Sequence, residues 1–209
     1  MKRIIYILFI VFMCAGTLQA DGDAEASRYM RKLNMLPVPA PTQDAASIYA
    51  GAGFAFPEYW LPQIGVNIPF GGRYHFTGGL GAVAEPLFNE LLYRFSLGFG
   101  TGGVFQGDST FRYLAGISVN HYRAISYGNL SPGLHVRIMK TGSRFTLAAG
   151  MELSFQHHEI LENDLLSERD THLFVLMPEL ALYTPWGNIN MKFQRDAVAA
   201  GVSWILKLG

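Results

Sequence analysis

The stretch Ser143-Arg-Phe-Thr-Leu-Ala-Ala-Gly-Met-Glu-Leu-Ser-Phe-Gln-His-His158 decides the fold. One parity reads Phe145, Leu147, Ala149, Met151, Leu153 and Phe155. The other reads Arg144, Thr146, Ala148, Gly150, Glu152, Ser154 and Gln156. Successive side chains of a strand point to opposite faces, so this is a strand with one apolar face and one small or polar face. A helix would show its apolar residues at a spacing of about 3.6 instead.

The same pattern recurs on both sides of that stretch. From Phe88 to Thr101 the apolar parity is Leu91, Tyr93, Phe95, Leu97 and Phe99, against Glu90, Leu92, Arg94, Ser96, Gly98 and Gly100. Near the C-terminus Val198, Ala200, Val202, Trp204, Leu206 and Leu208 alternate with Ala199, Gly201, Ser203, Ile205 and Lys207. Asn188, Asn190, Lys192 and Gln194 alternate with Ile189, Met191 and Phe193. Similar faces occupy 73–84, 109–122 and 130–140, with weaker ones at 47–56, 62–70 and 171–184. Gly, Pro, Asn and Asp punctuate these runs, which gives about ten strands.

Alternation alone fits a soluble barrel as well as a membrane barrel; the content of the polar parity separates them. A soluble barrel turns its polar parity to water and fills it with Lys and Glu. Here that parity is mostly Gly, Ser, Ala and Thr with isolated charges, which suits a narrow, crowded interior. The apolar parity is rich in Leu, Phe, Tyr and Val, as a lipid-facing band requires. Composition agrees: 15% of the 209 residues are charged and 50% are hydrophobic, against about 25% charged in soluble domains. So hydrophobic a chain is not a disordered one. A single Cys excludes a disulfide scaffold. Zero net charge argues against nucleic acid as a partner.

The first twenty residues read as an address. Lys2 and Arg3 precede the apolar run Ile4–Gly16, and Leu18-Gln-Ala20 supplies a small residue before Asp21. That is the order of a secretory signal peptide over 1–20, and the apolar run is too short for the roughly 20 residues of a membrane-spanning helix. Its removal takes Cys14 and leaves 14 basic against 16 acidic residues. Residues 21–46 are polar, with Pro37, Pro39 and Pro41 alternating. Such a segment favours extended polyproline and reads as a periplasmic leader. Residues 47–209 then form the barrel.

With these features the chain resembles the small bacterial outer-membrane barrels of the OmpA-transmembrane, OmpX and OmpW kind, over roughly Ser47 to Gly209. The resemblance lies in pattern and carries no functional residue across. It implies an all-β fold, a closed antiparallel transmembrane β-barrel of eight to ten strands in the bacterial outer membrane. The implied partners are outer-membrane lipid and the outer-membrane insertion machinery. Such barrels usually finish on an aromatic residue, whereas this chain ends Trp204-Ile-Leu-Lys-Leu-Gly209. An even strand count puts both termini in the periplasm. Phe70-Gly-Gly72, Lys140–Ser143 and Thr184–Gly187 then become periplasmic turns, and Arg123–Asn129 and Glu159–Asp170 become outer loops. The second of these loops is acidic and long enough for a helical cap. Residues 102–108 make an awkwardly long periplasmic turn. Trp60 and Trp186 fall at opposite ends of their hairpins, where aromatic girdles belong.

The inward parity collects Arg73, His75, Glu90, Arg94, Arg112, His135, Arg137, Arg144, Glu152, Glu179, Lys192 and Lys207. An interior of eight strands is just wide enough for side chains to fill, so the expectation is a plugged lumen of paired charges. The alternative is a narrow passage for small, anionic or apolar solutes. A lipid-modifying enzyme is a further alternative. Its nearest trace is Ser154 between Glu152 and Gln156, with His158 four residues on. Neighbours on one strand face are about 7 Å apart, too far for a nucleophile and its base, so no catalytic residue is assigned. His157 and His158 are adjacent and point to opposite faces, which disfavours a metal. No cofactor is expected. A soluble periplasmic barrel is the remaining alternative.

Overall fold

A computed structural model describes residues 45–55, 59–85, 90–105, 108–124, 127–161, 168–194 and 197–208. The expected signal peptide, and the leader up to residue 44, lie outside the described residues. Ten antiparallel strands follow in order: β1 (Ser47–Ala55), β2 (Tyr59–Phe70), β3 (Tyr74–Glu85), β4 (Glu90–Phe105), β5 (Asp108–Arg123), β6 (Tyr127–Thr141), β7 (Thr146–Leu161), β8 (Glu168–Thr184), β9 (Gly187–Gln194) and β10 (Ala197–Lys207). Each pairs with its chain neighbours, and β1 closes on β10 with Ser47 opposite Lys207. Closure leaves the barrel without a free sheet edge at its seam. Followed around all ten pairings, the register accumulates a stagger of about 12 residues, which fixes the strand tilt and barrel width.

Both ends of the described barrel lie at one rim, called here the near rim; the opposite one is the far rim. The near-rim turn between β2 and β3 is tight, and in it Gly71 and Gly72 take φ of 59° and 70°, a left-handed region that favours glycine. The awkward turn at 102–108 does not exist as such. β4 runs to Phe105 and β5 starts at Asp108, with a register shift between Val104 and Phe105. The two outer loops are also shorter than their sequences read. Arg123 and Tyr127–Asn129 are strand, as are Glu159–Leu161 and Glu168–Asp170. The pairing Leu161↔Glu168 replaces the expected helical cap at those positions, and residues 162–167 lie outside the described residues. The far rim is uneven: β9 has 8 residues and β8 has 17. The two pair only over Glu179–Thr184, so Glu168–Pro178 pairs with β7 alone.

Burial is inverted relative to a soluble protein. Thirty-four large apolar side chains among the described residues are exposed, including Ile64, Leu97, Ile117, Leu134, Leu180 and Val202. A water-soluble monomer does not carry so continuous an apolar coat. The coat is edged by aromatics at both rims. Phe54 with Trp60 and Phe155 with Phe174 lie toward the far rim, and Phe70, Tyr74 and Phe99 stack toward the near rim. Trp186 sits in the near-rim turn between β8 and β9. An apolar band between aromatic belts, with polar groups inside, is the surface of a membrane-embedded β-barrel.

Candidate functional site

Where the inward parity is not polar it is small, and the small positions are where large neighbours fit. Tyr49 lies against Gly65 and Gly79, and its hydroxyl donates to the Gly78 carbonyl at 3.3 Å. The His75 ring lies against Gly100, and His135 against Gly116. The interior is therefore filled by pairing a bulky residue on one strand with a glycine on the next.

Along the barrel axis the filling is layered. Toward the near rim Leu114, Met139, Ala148, Ala181 and Tyr183 form one buried apolar cluster. Toward the far rim Leu61, Val83, Leu92, Tyr122 and Met177 are each wholly buried. Between them lies a polar layer held by two ion pairs. Arg137 on β6 donates from Nε and Nη2 to the two carboxylate oxygens of Glu179 on β8, at 3.1 and 2.8 Å. The strand between them contributes Gly150, which is opposite Arg137 on one side and Glu179 on the other. With no side chain there, the fork closes across β7; a Cβ at Gly150 would stand 2.6 Å from Arg137 Cγ. Lys192 on β9 lies opposite Glu179 but donates instead to Glu152 Oε2 on β7, at 2.7 Å. Two acids thus answer two cations, and all four residues are buried. Charged groups this deep are tolerable only when paired.

A third cation is buried with them. Arg94 on β4 is 2% exposed; its Nη2 donates to Asn120 Oδ1 at 2.8 Å, and its guanidinium stands 5.5 Å from the Tyr122 ring centre. Below it, a cavity of about 40 Å³ lies between His75, Ser118, Asn120, His135, Arg137 and Lys192. By the roughly 10–15 Å³ that one water needs on this measure, it has room for about three. His75 Nδ1, Ser118 Oγ and His135 Nε2 are buried polar atoms with no protein partner, as expected of groups that face internal water.

The twelve sequence-predicted positions divide by depth. His75, Arg94, His135, Arg137, Glu152, Glu179 and Lys192 are buried inside the barrel. Arg112 is half-buried near the β4–β5 turn. Arg73 and Arg144 sit exposed in near-rim turns, and Lys207 is exposed at the end of β10, so these three do not join the interior layer. The side chain of Glu90 lies outside the described residues; its backbone pairs with Glu85. Sequence reasoning passed over Asn120, Ser118 and the inward Tyr49, Tyr122 and Tyr183, although all share the inward parity. Ser154 is wholly buried, and the side chain of His158 lies outside the described residues. His157 meets Glu159 at 3.4 Å and Glu159 meets Arg123 at 3.4 Å on the outside of the far rim. Among the described residues no group of three or more His, Cys, Asp or Glu could hold a metal ion.

No family model matches the sequence, and no curated protein matches it. Among solved structures the chain is similar to a barrel from the de novo design of transmembrane beta-barrels, at 10% identity and TM-score 0.36, covering 82% of this chain and 100% of that one. It is also similar to KdgM porin, at 10% identity and TM-score 0.43, covering 78% of this chain and 99% of that one. The fold assignment therefore rests on the barrel's own closure, register and surface.

Proposed function

We propose that this chain is an integral protein of the bacterial outer membrane with a structural or envelope-adaptive role, of the general OmpA, OmpX and OmpW kind, and that its lumen is plugged. One observation carries the reading: a buried, ion-paired polar layer lies between an apolar cluster toward the near rim and wholly buried apolar side chains toward the far rim, inside a barrel whose outer surface is apolar. Such packing supports a plugged lumen, because a narrow barrel is closed to water where side chains fill its interior. The signal peptide would deliver the chain to the periplasm, where the insertion machinery would receive it. The reading is non-enzymatic.

The test has two parts. Membrane-extracted protein run in SDS with and without boiling should change mobility on boiling, and the unboiled form should fractionate with the outer membrane. Release by osmotic shock with no mobility change would contradict the membrane assignment. Planar-bilayer recordings should then show no steady single-channel conductance. The internal cavity favours a second reading, a narrow passage for small solutes. Discrete channel steps that persist in wild type would decide for it against the plug.

A further inference from the structure

Resting on that reading, we propose that the barrel interior holds a small inorganic anion of chloride size against Arg94. Among the described residues the buried charges of the polar layer do not cancel. Arg137 is answered by Glu179 and Lys192 by Glu152, whereas Arg94 meets only neutral groups among the described residues, the Asn120 carbonyl oxygen and the Tyr122 ring. Its Nε and Nη1 are buried and have no hydrogen-bond partner in the protein. A guanidinium carries a fixed positive charge. An uncompensated buried cation costs several kcal/mol, and its donors add the cost of hydrogen bonds not made. A counter-anion removes both costs at once.

Size selects the anion. Arg94 lies just below the far-rim apolar layer, one inward position from the wholly buried Leu92, and its strand partner is the wholly buried Tyr122. Walls so deeply buried favour a single halide, which needs only two or three N–H donors and an apolar or amide wall, over an organic carboxylate or a phosphate ester. The Asn120 amide links Arg94 to the internal cavity, which supplies water to complete the shell.

The experiment uses the full barrel in detergent and follows the temperature at which the folded, fast-migrating form is lost. Chloride is exchanged for the much larger gluconate at constant ionic strength. Wild type should unfold several degrees higher in chloride, because an anion bound only to the folded state stabilises it by mass action. Arg94→Gln should lose that dependence. Crystals grown in bromide should show an anomalous peak within hydrogen-bond distance of Arg94. An equal melting temperature in both salts would overturn the proposal, as would an Arg94 paired directly to a carboxylate such as Glu90 with no bromide peak. Loss of heat-modifiability altogether would instead contradict the membrane-barrel reading.

Discussion

Arg137 and Glu179 are two strands apart, and the pair exists because residue 150 between them is a glycine. Removing one partner strands the other as a buried charge. Glu179→Ala should therefore destabilise the barrel by about 3–5 kcal/mol, read as a lower midpoint for heat-dependent mobility. Replacing both partners with apolar residues of similar size, Arg137→Met with Glu179→Leu, should recover most of that loss. If the double variant is no more stable than the single one, the pair is not the isolated unit described here. At this scale the sequence was only partly legible. Parity gives the face of a side chain and says nothing of its height along the axis. Arg73, Arg144 and Lys207 have no apolar layer above them and remain in solvent at the near rim, while His75, two residues from Arg73, is buried. Nor does one sequence reveal that Gly150 is the saddle of an ion pair, since that needs the register of three strands.

The individual strand was the most legible unit. β7 reads correctly from its alternation alone because one face meets apolar surroundings and the other a crowded interior, so a slip of one residue would exchange every side chain. Strand ends were less legible. Gly102 and Gly103 look like turn residues, yet both lie in β4 and pair with Leu114 and Tyr113; a ladder needs only backbone groups, which glycine supplies. The polar stretch around 159–170 looks like loop because the apolar coat has ended, while the β7–β8 ladder continues past it to Leu161↔Glu168. A single outward face of β5 should show a dependence on depth. Ile117 is mid-strand and His121 lies near the far rim, both exposed. Ile117→Arg should cost about 2–4 kcal/mol in refolding into bilayers, and His121→Arg about 0–1. Equal costs at the two positions would mean that no hydrocarbon band crosses the strand.

For the whole molecule, the central claim is the inversion: lipid outside, packed side chains within. The only Cys is Cys14, in the expected signal peptide, so a Cys14→Ser background is free of thiols for site-directed labelling. The direct measurement is a nitroxide scan along β7 from Leu147 to Gln156 in lipid vesicles, with collisional access to oxygen and to a water-soluble nickel complex read at each position. Labels at Leu147, Met151, Leu153 and Phe155 should collide with oxygen and not with nickel. Those at Ala148, Glu152, Ser154 and Gln156 should be immobile and reached by neither. A two-residue period with that phase is the predicted result; nickel access along the apolar parity would contradict it and make the coat a water-facing surface.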